Sequence, residues 1–241
     1  MAFIKTQGII LRTLDYSESN IIVHIFTKEY GLITGMVYGA KSTKSKKKNF
    51  IWKLGNIVAL DLDFKNSNKI QPIKEGAIFY QYKEIPFDIY KNALTTICIE
   101  ILTKCIKENQ ANLQLYDFVL EFLTQVDSTQ ESIKNYLVYF LLHITSPLGI
   151  QPILKQGGTW IDYENGEITT FKSTESLYSH EYLSLAHTYD FFKMEIKQLG
   201  AYNLPVSERQ ELISVFFRYL KTHLPDFSLP KSLQIYKDIL Y

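Results

Sequence analysis

Val58-Ala59-Leu60-Asp61-Leu62-Asp63-Phe64 alternates apolar with small or acidic residues without a break. Successive side chains of an extended strand point to opposite faces. Val58, Leu60, Leu62 and Phe64 therefore share one face, and Ala59, Asp61 and Asp63 the other. Such a strand is buried on one side and wet on the other. Upstream, Leu32, Thr34, Met36 and Tyr38 alternate in the same way with Ile33, Gly35 and Val37. Residues 8–14 and 21–26 are β-branched or aliphatic with weaker alternation, as in strands partly covered on both faces. Turn-forming clusters separate the runs at Asp15 to Asn20, Lys28 to Gly31 and Lys65 to Asn68. Five short strands before Tyr80 predict a small closed barrel. The commonest barrel of this kind that binds nucleic acid is the OB-fold.

Beyond Pro86 the period lengthens from two to 3.6. Ile89, Ala93, Leu94, Ile97, Cys98, Ile101, Leu102, Cys105 and Ile106 trace one helix face. Leu113, Tyr116, Val119, Leu120, Leu123 and Val126 trace a second. Ser128 and Glu131 have the spacing of a capping box. The helix after them, to about Ile144, is apolar almost all round and is predicted to lie at the centre of the bundle. Pro147 and Gly149 end it. Residues 150–172 break the pattern, with a Gly157-Gly158 loop. Trp160 to Tyr163 and Glu167 to Phe171 then predict a hairpin closed by a two-residue Asn165-Gly166 turn. Tyr182, Leu185, Ala186, Tyr189, Phe192, Ile196 and Leu199 predict a further helix stopped by Gly200. Pro205 and Ser207, with Gln210 three on, open another through Leu212, Phe216, Tyr219 and Leu220, and a short one follows Pro230. The predicted fold class is α+β. A five-stranded OB-fold barrel over residues 1–80 is followed by a mainly α-helical domain over 81–241, with a small β-hairpin insertion at about 150–172.

A net charge of +1 names no partner, but its distribution does. Residues 1–80 hold 12 Lys/Arg against 6 Asp/Glu, and the remainder 14 against 19, so a front of +6 precedes a rear of −5. This confines a polyanion site to the first third. Cys98 and Cys105 are spaced seven apart on one apolar helix stripe, the position of buried free thiols. Two turns of helix separate them by about 10 Å, too far for a disulfide. No stretch approaches the roughly 20 apolar residues that span a bilayer. Met1-Ala2-Phe3-Ile4-Lys5 lacks a basic-then-apolar signal region, so no export and a cytoplasmic location are expected.

Lys41, Lys44, Lys46, Lys47 and Lys48 lie within eight positions, interleaved with Ser42, Thr43 and Ser45, directly after the strand ending at Tyr38-Gly39. Ammonium groups on a barrel-edge loop neutralise phosphates without demanding a base sequence. A lone lysine run is also what a solvated loop looks like; the barrel and the basic first third favour nucleic acid. Catalytic arrangements are poor. His180-Glu181 is followed by His187, but a zinc-protease helix needs its second histidine four residues on, and here the spacing is seven. His143, in the apolar central helix, suits a hydrogen-bonded core residue. Asp61 and Asp63 suit an outward, solvated strand face. There is no Gly-rich phosphate loop and no recognisable nucleophile setting. No enzyme, no cofactor and no metal are expected.

The motif Gln7-Gly8-Ile9-Ile10-Leu11-Arg12, continued by Asp15-Tyr16-Ser17-Glu18-Ser19, Ile25-Phe26-Thr27, Tyr30-Gly31-Leu32 and Tyr38-Gly39-Ala40-Lys41, resembles the N-terminal domain of the RecO family of DNA repair proteins. Arg218-Tyr219 to His223 and Lys231-Ser232-Leu233 resemble that family's ending. The resemblance implies a recombination mediator, nucleoid-associated, that binds single- and double-stranded DNA and anneals complementary strands. It implies RecR as a partner, capture of the C-terminal tail of single-strand-binding protein, and indirect action on RecA. Arg12 and Lys41 match the motif's basic positions; Lys44, Lys46, Lys47 and Lys48 lie where the family is usually basic. Gly31 and Gly39 match its turn positions. Many relatives carry a four-cysteine zinc site after the central helix, whereas Gln151 to Phe171 contains no cysteine, so no zinc is expected and the Trp160 hairpin is left to hold the insertion. Two other readings stand beside this one: an OB-fold RNA-binding or ribonucleoprotein accessory protein using the same basic loop, and a scaffold that touches no nucleic acid.

Overall fold

In the computed structural model of the chain, which describes residues 2–41, 50–64, 69–107, 110–172 and 179–235, the alternating stretch is a strand of a closed barrel. Five strands build it: β1 (Ala2–Asp15), β2 (Ile21–Thr27), β3 (Gly31–Val37), β4 (Ile57–Phe64) and β5 (Gln71–Tyr80). Their order is β1-β2-β3-β5-β4, and β1 closes the barrel by pairing with β4. All pairs are antiparallel except β3 with β5. This is the OB-fold arrangement that the five alternating runs predict. The inward set is the one the period of two selects: Ile10, Val23, Ile25, Ile33, Val58, Leu60 and Leu62 form the core. The turn Lys65 to Asn68 lies outside the described residues.

Trp52, from the loop before β4, joins this core and is only 5% exposed. Gly76 on β5 makes room for it, because a Cβ built there would sit 2.4 Å from the indole.

The chain divides into two compact units, Met1–Lys83 with Ile106–Glu121, and Glu84–Cys105 with Phe122–Tyr241. In the first, residues 106–121 group with the barrel. There Tyr116 is fully buried with its ring 5.9 Å from that of Phe26, and Lys28 pairs with Asp117 at 3.2 Å.

The second unit is mainly helical. Its helices are α1 (Ile89–Cys105), the last turns of α2 (Leu113–Ser128), α3 (Tyr136–His143), α4 (Thr188–Lys193) and α5 (Val206–His223). On α3, Tyr136, Leu137, Val138, Phe140, Leu141 and Leu142 are all buried, as an all-round apolar helix requires. Cys98 and Cys105 are free and buried on α1, and burial raises both thiol pKa values, that of Cys105 to about 12. Ile89, assigned to the inward face by its spacing, is instead exposed at the first position of α1.

Four local expectations need correction. Ser128 and Glu131 form no capping box: Ser128 is the last residue of α2, its hydroxyl bonds back to Gln125 O at 3.4 Å, and α3 begins only at Tyr136. Helix α2 runs on because the buried Lys91 ammonium donates to the carbonyls of Asp127 (3.1 Å) and Thr129 (2.7 Å), satisfying its C-terminal end from another helix. The predicted helix over 182–199 is broken into a 3-10 turn (Leu183–His187), α4 and a 3-10 turn (Ile196–Gln198), with Met194 and Glu195 extended between them. Of the predicted inward face Leu185, Ile196 and Leu199 are buried, whereas Tyr182, Ala186, Tyr189 and Phe192 are half-buried and the fully buried ring of α4 is Phe191. Helix α5 starts from Pro205 with no side-chain cap, so Ser207 and Gln210 do not play that part.

The fourth correction concerns the insertion. Its hairpin strands are β7 (Trp160–Asp162) and β8 (Glu167–Thr169), within a four-stranded sheet ordered β6-β8-β7-β9, where β6 is Ile153–Leu154 and β9 is Ser179–Glu181. Asp162 pairs with Glu167, so the connection is four residues and not two. The Asp162 carboxylate decides this by accepting from the backbone N–H of Glu164 (3.0 Å) and Asn165 (3.1 Å), an Asx turn.

Candidate nucleic-acid interface

Arg12 owes its position to a bulge. Ile10 and Arg12 are two residues apart on β1, so an unbroken strand would aim both into the barrel. The register slips instead: Ile10 faces Ile25 and Arg12 faces His24, leaving Leu11 as the extra residue. A one-residue slip turns every later side chain to the other face. Ile10 remains in the core, while Arg12 is exposed.

Lys41 is placed by the turn between β1 and β2. Gly39 has φ +66°, a left-handed backbone that a side chain resists, and its N–H donates to Asn20 Oδ1 at 3.0 Å. The Lys41 N–H donates to Ser19 O (3.1 Å), and its ammonium pairs with Asp15 at 2.7 Å and lies 3.4 Å from Ser17 O. The Asp15 side chain is largely exposed and that of Lys41 partly so, so the ion pair contributes little and the ammonium can turn from Asp15 to a phosphate at small cost.

A third cation joins them. Residues 50–56 are pinned over the barrel: Gly55 N–H donates to Ile10 O, Asn56 O accepts from Ile10 N–H, Tyr82 Oη donates to Gly55 O and Thr13 Oγ1 donates to Trp52 O. Lys53 is carried on this loop and is exposed. Arg12, Lys41 and Lys53 line one open cleft of about 490 Å³, with Thr13, Asp15, Ile21, Trp52 and Leu54. Sequence reading singled out Arg12 and Lys41 but counted Lys53 only toward the charge of the first third. The available signal was a lone lysine between Trp52 and Leu54-Gly55, in a segment otherwise fit for burial. Lys44, Lys46, Lys47 and Lys48 lie outside the described residues. Asp61 lies 3.7 Å from the Lys5 ammonium, as an outward strand position allows.

Three histidines are engaged in the helical unit. His143 Nε2 lies 3.2 Å from Phe191 O with its ring stacked on Tyr139 and Phe192, and burial lowers its pKa. His187 contacts Glu208 (2.8 Å) and Tyr202 Oη (2.7 Å), while His180 lies 3.4 Å from Arg218. Among the described residues, no group of three or more His, Cys, Asp or Glu could hold a metal ion. The residues of the insertion do not fit the four-cysteine zinc site that the family resemblance brings into question. Residues 151–171 offer neither cysteine nor histidine, and both oxygens of Asp162 are engaged by its own turn. No helix among the described residues is long and apolar enough to cross a membrane.

Comparison with known proteins agrees with this architecture. The family described as "Recombination protein O N terminal" matches residues 1–82, and "Recombination protein O C terminal" matches residues 86–159. The chain is similar to the DNA repair protein RecO of Flavobacterium psychrophilum, 30% identical over 244 residues and 98% of both chains. It is 30% identical to that of Flavobacterium johnsoniae over 238 residues, and 25% to that of Bacteroides fragilis over 240, again over 98% of both chains in each comparison. The chain belongs to the RecO family of DNA repair proteins.

Proposed function

We propose that this protein is a recombination mediator that binds single- and double-stranded DNA and anneals complementary strands. With RecR, it helps to load RecA onto strands coated by single-strand-binding protein. The observation that carries the proposal is the convergence of Arg12, Lys41 and Lys53 on one open cleft of an OB-fold barrel. Lys44, Lys46, Lys47 and Lys48 follow Lys41 in the sequence and add to the basic charge of this reading. In this reading residues 1–80 are the nucleic-acid-binding domain. Residues 81–241 dock protein partners, among them the tail of single-strand-binding protein, and the work is done in the cytoplasm at the nucleoid.

Annealing of this kind needs no covalent step. Cations held in one cleft offset the repulsion between two phosphate backbones and raise the effective concentration of complementary bases. The experiment is annealing of two complementary oligonucleotides, with and without single-strand-binding protein. Acceleration by the wild-type chain and its loss in the Arg12→Gln/Lys41→Gln/Lys53→Gln variant are expected. Equal rates for the two proteins would remove the cleft from the mechanism. Competition between DNA and RNA strands of equal length tests the ribonucleoprotein reading, since a reader of the 2′-hydroxyl prefers RNA.

A further inference from the structure

Two large rings stand in solvent close along the chain to cleft residues, Tyr16 directly after Asp15 and Tyr38 three before Lys41. Tyr16 is 62% exposed and Tyr38 is 65% exposed. One residue ties both to the same place. Asn20 accepts the Tyr16 N–H on its backbone oxygen at 3.1 Å, and its side-chain oxygen accepts the N–H of Gly39, next to Tyr38. Strands β1 and β3 run on either side of β2. Val37, the last residue of β3, faces Ile21 and packs on the barrel core, and Tyr38 follows it in solvent. On β1 the bulge has already turned Arg12 outward, and Tyr16 follows directly on Asp15 of the cleft wall, just past the end of the strand. Asp15 and Val37, the residues just before the two tyrosines, both pair with Ile21, so the backbones there are separated by roughly two inter-strand spacings, about 10 Å. Aromatic rings held in solvent beside a set of cations are the combination that grips an unpaired strand, with the cations on its phosphates and the rings under its bases.

We propose that Tyr16 and Tyr38 are stacking platforms for two unpaired bases of a single strand whose phosphates run along Arg12, Lys41 and Lys53. This rests on the nucleic-acid reading of the cleft and adds to it a basis for telling single strands from duplex. The cations serve both forms, because both present phosphates. The rings serve only the single strand, because duplex bases are stacked on one another and present only their edges in the grooves.

The test is fluorescence anisotropy with three labelled probes: a pyrimidine single strand, a duplex of equal length, and an abasic strand with its phosphates intact. Tyr16→Ala/Tyr38→Ala is expected to weaken single-strand binding by roughly tenfold per ring. Duplex and abasic-strand binding, and the salt dependence, should stay as in the wild type. Tyr16→Phe/Tyr38→Phe should restore the affinity lost by the alanine pair, since the ring face is kept. Undiminished single-strand binding by the alanine pair, or an equal loss on the abasic strand, overturns the stacking assignment while leaving the cationic cleft intact. Wild-type protein that binds none of the three probes overturns the nucleic-acid reading itself.

Discussion

Gly76 shows how much one side chain's absence can decide. The Trp52 indole occupies the space where a Cβ would stand, and it is buried in the barrel core with little freedom to move. Gly76→Ala should therefore destabilise the protein by about 1–3 kcal/mol, the usual cost of overpacking, read as a lower urea midpoint. An unchanged midpoint would mean that the indole has somewhere else to go. His143 makes a pH prediction. Burial lowers its folded pKa below the ordinary value of about 6.5, so in the window between the two values the unfolded chain binds more protons. Stability then rises with pH across that window and falls as pH drops through it. Replacing His143 by Gln should flatten the dependence of melting temperature on pH below the ordinary histidine value of about 6.5; parallel curves for the two proteins would refute the assignment.

At the scale of elements, the joint between α1 and the end of α2 is built on polar groups. Lys91 is 6% exposed and its ammonium holds two carbonyls near the end of α2, while Asp127 accepts the N–H groups of Glu84 (2.9 Å) and Ile85 (3.0 Å). Lys91→Met keeps most of the apolar stem but leaves those carbonyls without their donor. A loss of about 1–3 kcal/mol is expected in urea unfolding. Stability equal to the wild type would show that water replaces the ammonium freely. The helices themselves were legible from their period. What was not legible was their punctuation: Ser128 has the composition of a cap, but Lys91, 37 positions away in the chain, changes what α2 needs at its end.

For the whole molecule the relevant quantity is where the charge collects. A balance of +6 in residues 1–80 against −5 in the rest was readable by counting, and it supports the proposal that a polyanion binds at the barrel. Binding to single strands should weaken steeply with salt, with a log–log slope of about −0.7 for each neutralised phosphate. Neutralising Arg12, Lys41 and Lys53 together should make that slope shallower by about 2 if each lysine or arginine meets one phosphate. A slope that does not change, in a variant that still binds, would place the phosphates elsewhere on the protein.

The sequence by itself determined the strand period, the change to helix after Pro86, the uneven charge and, through its motif, the family. These are properties of neighbours along the chain, and covalent connection is enough to express them. Tertiary structure alone decided that Arg12 faces outward, because a bulge is defined by the partner strand. It alone brought Lys53 to the cleft, because Thr13 and Tyr82 hold its loop from 39 and 27 residues away. It also made the insertion a four-stranded sheet, since β6 and β9 are two- and three-residue segments too short to carry a period and exist only through the backbone hydrogen bonds their neighbours offer.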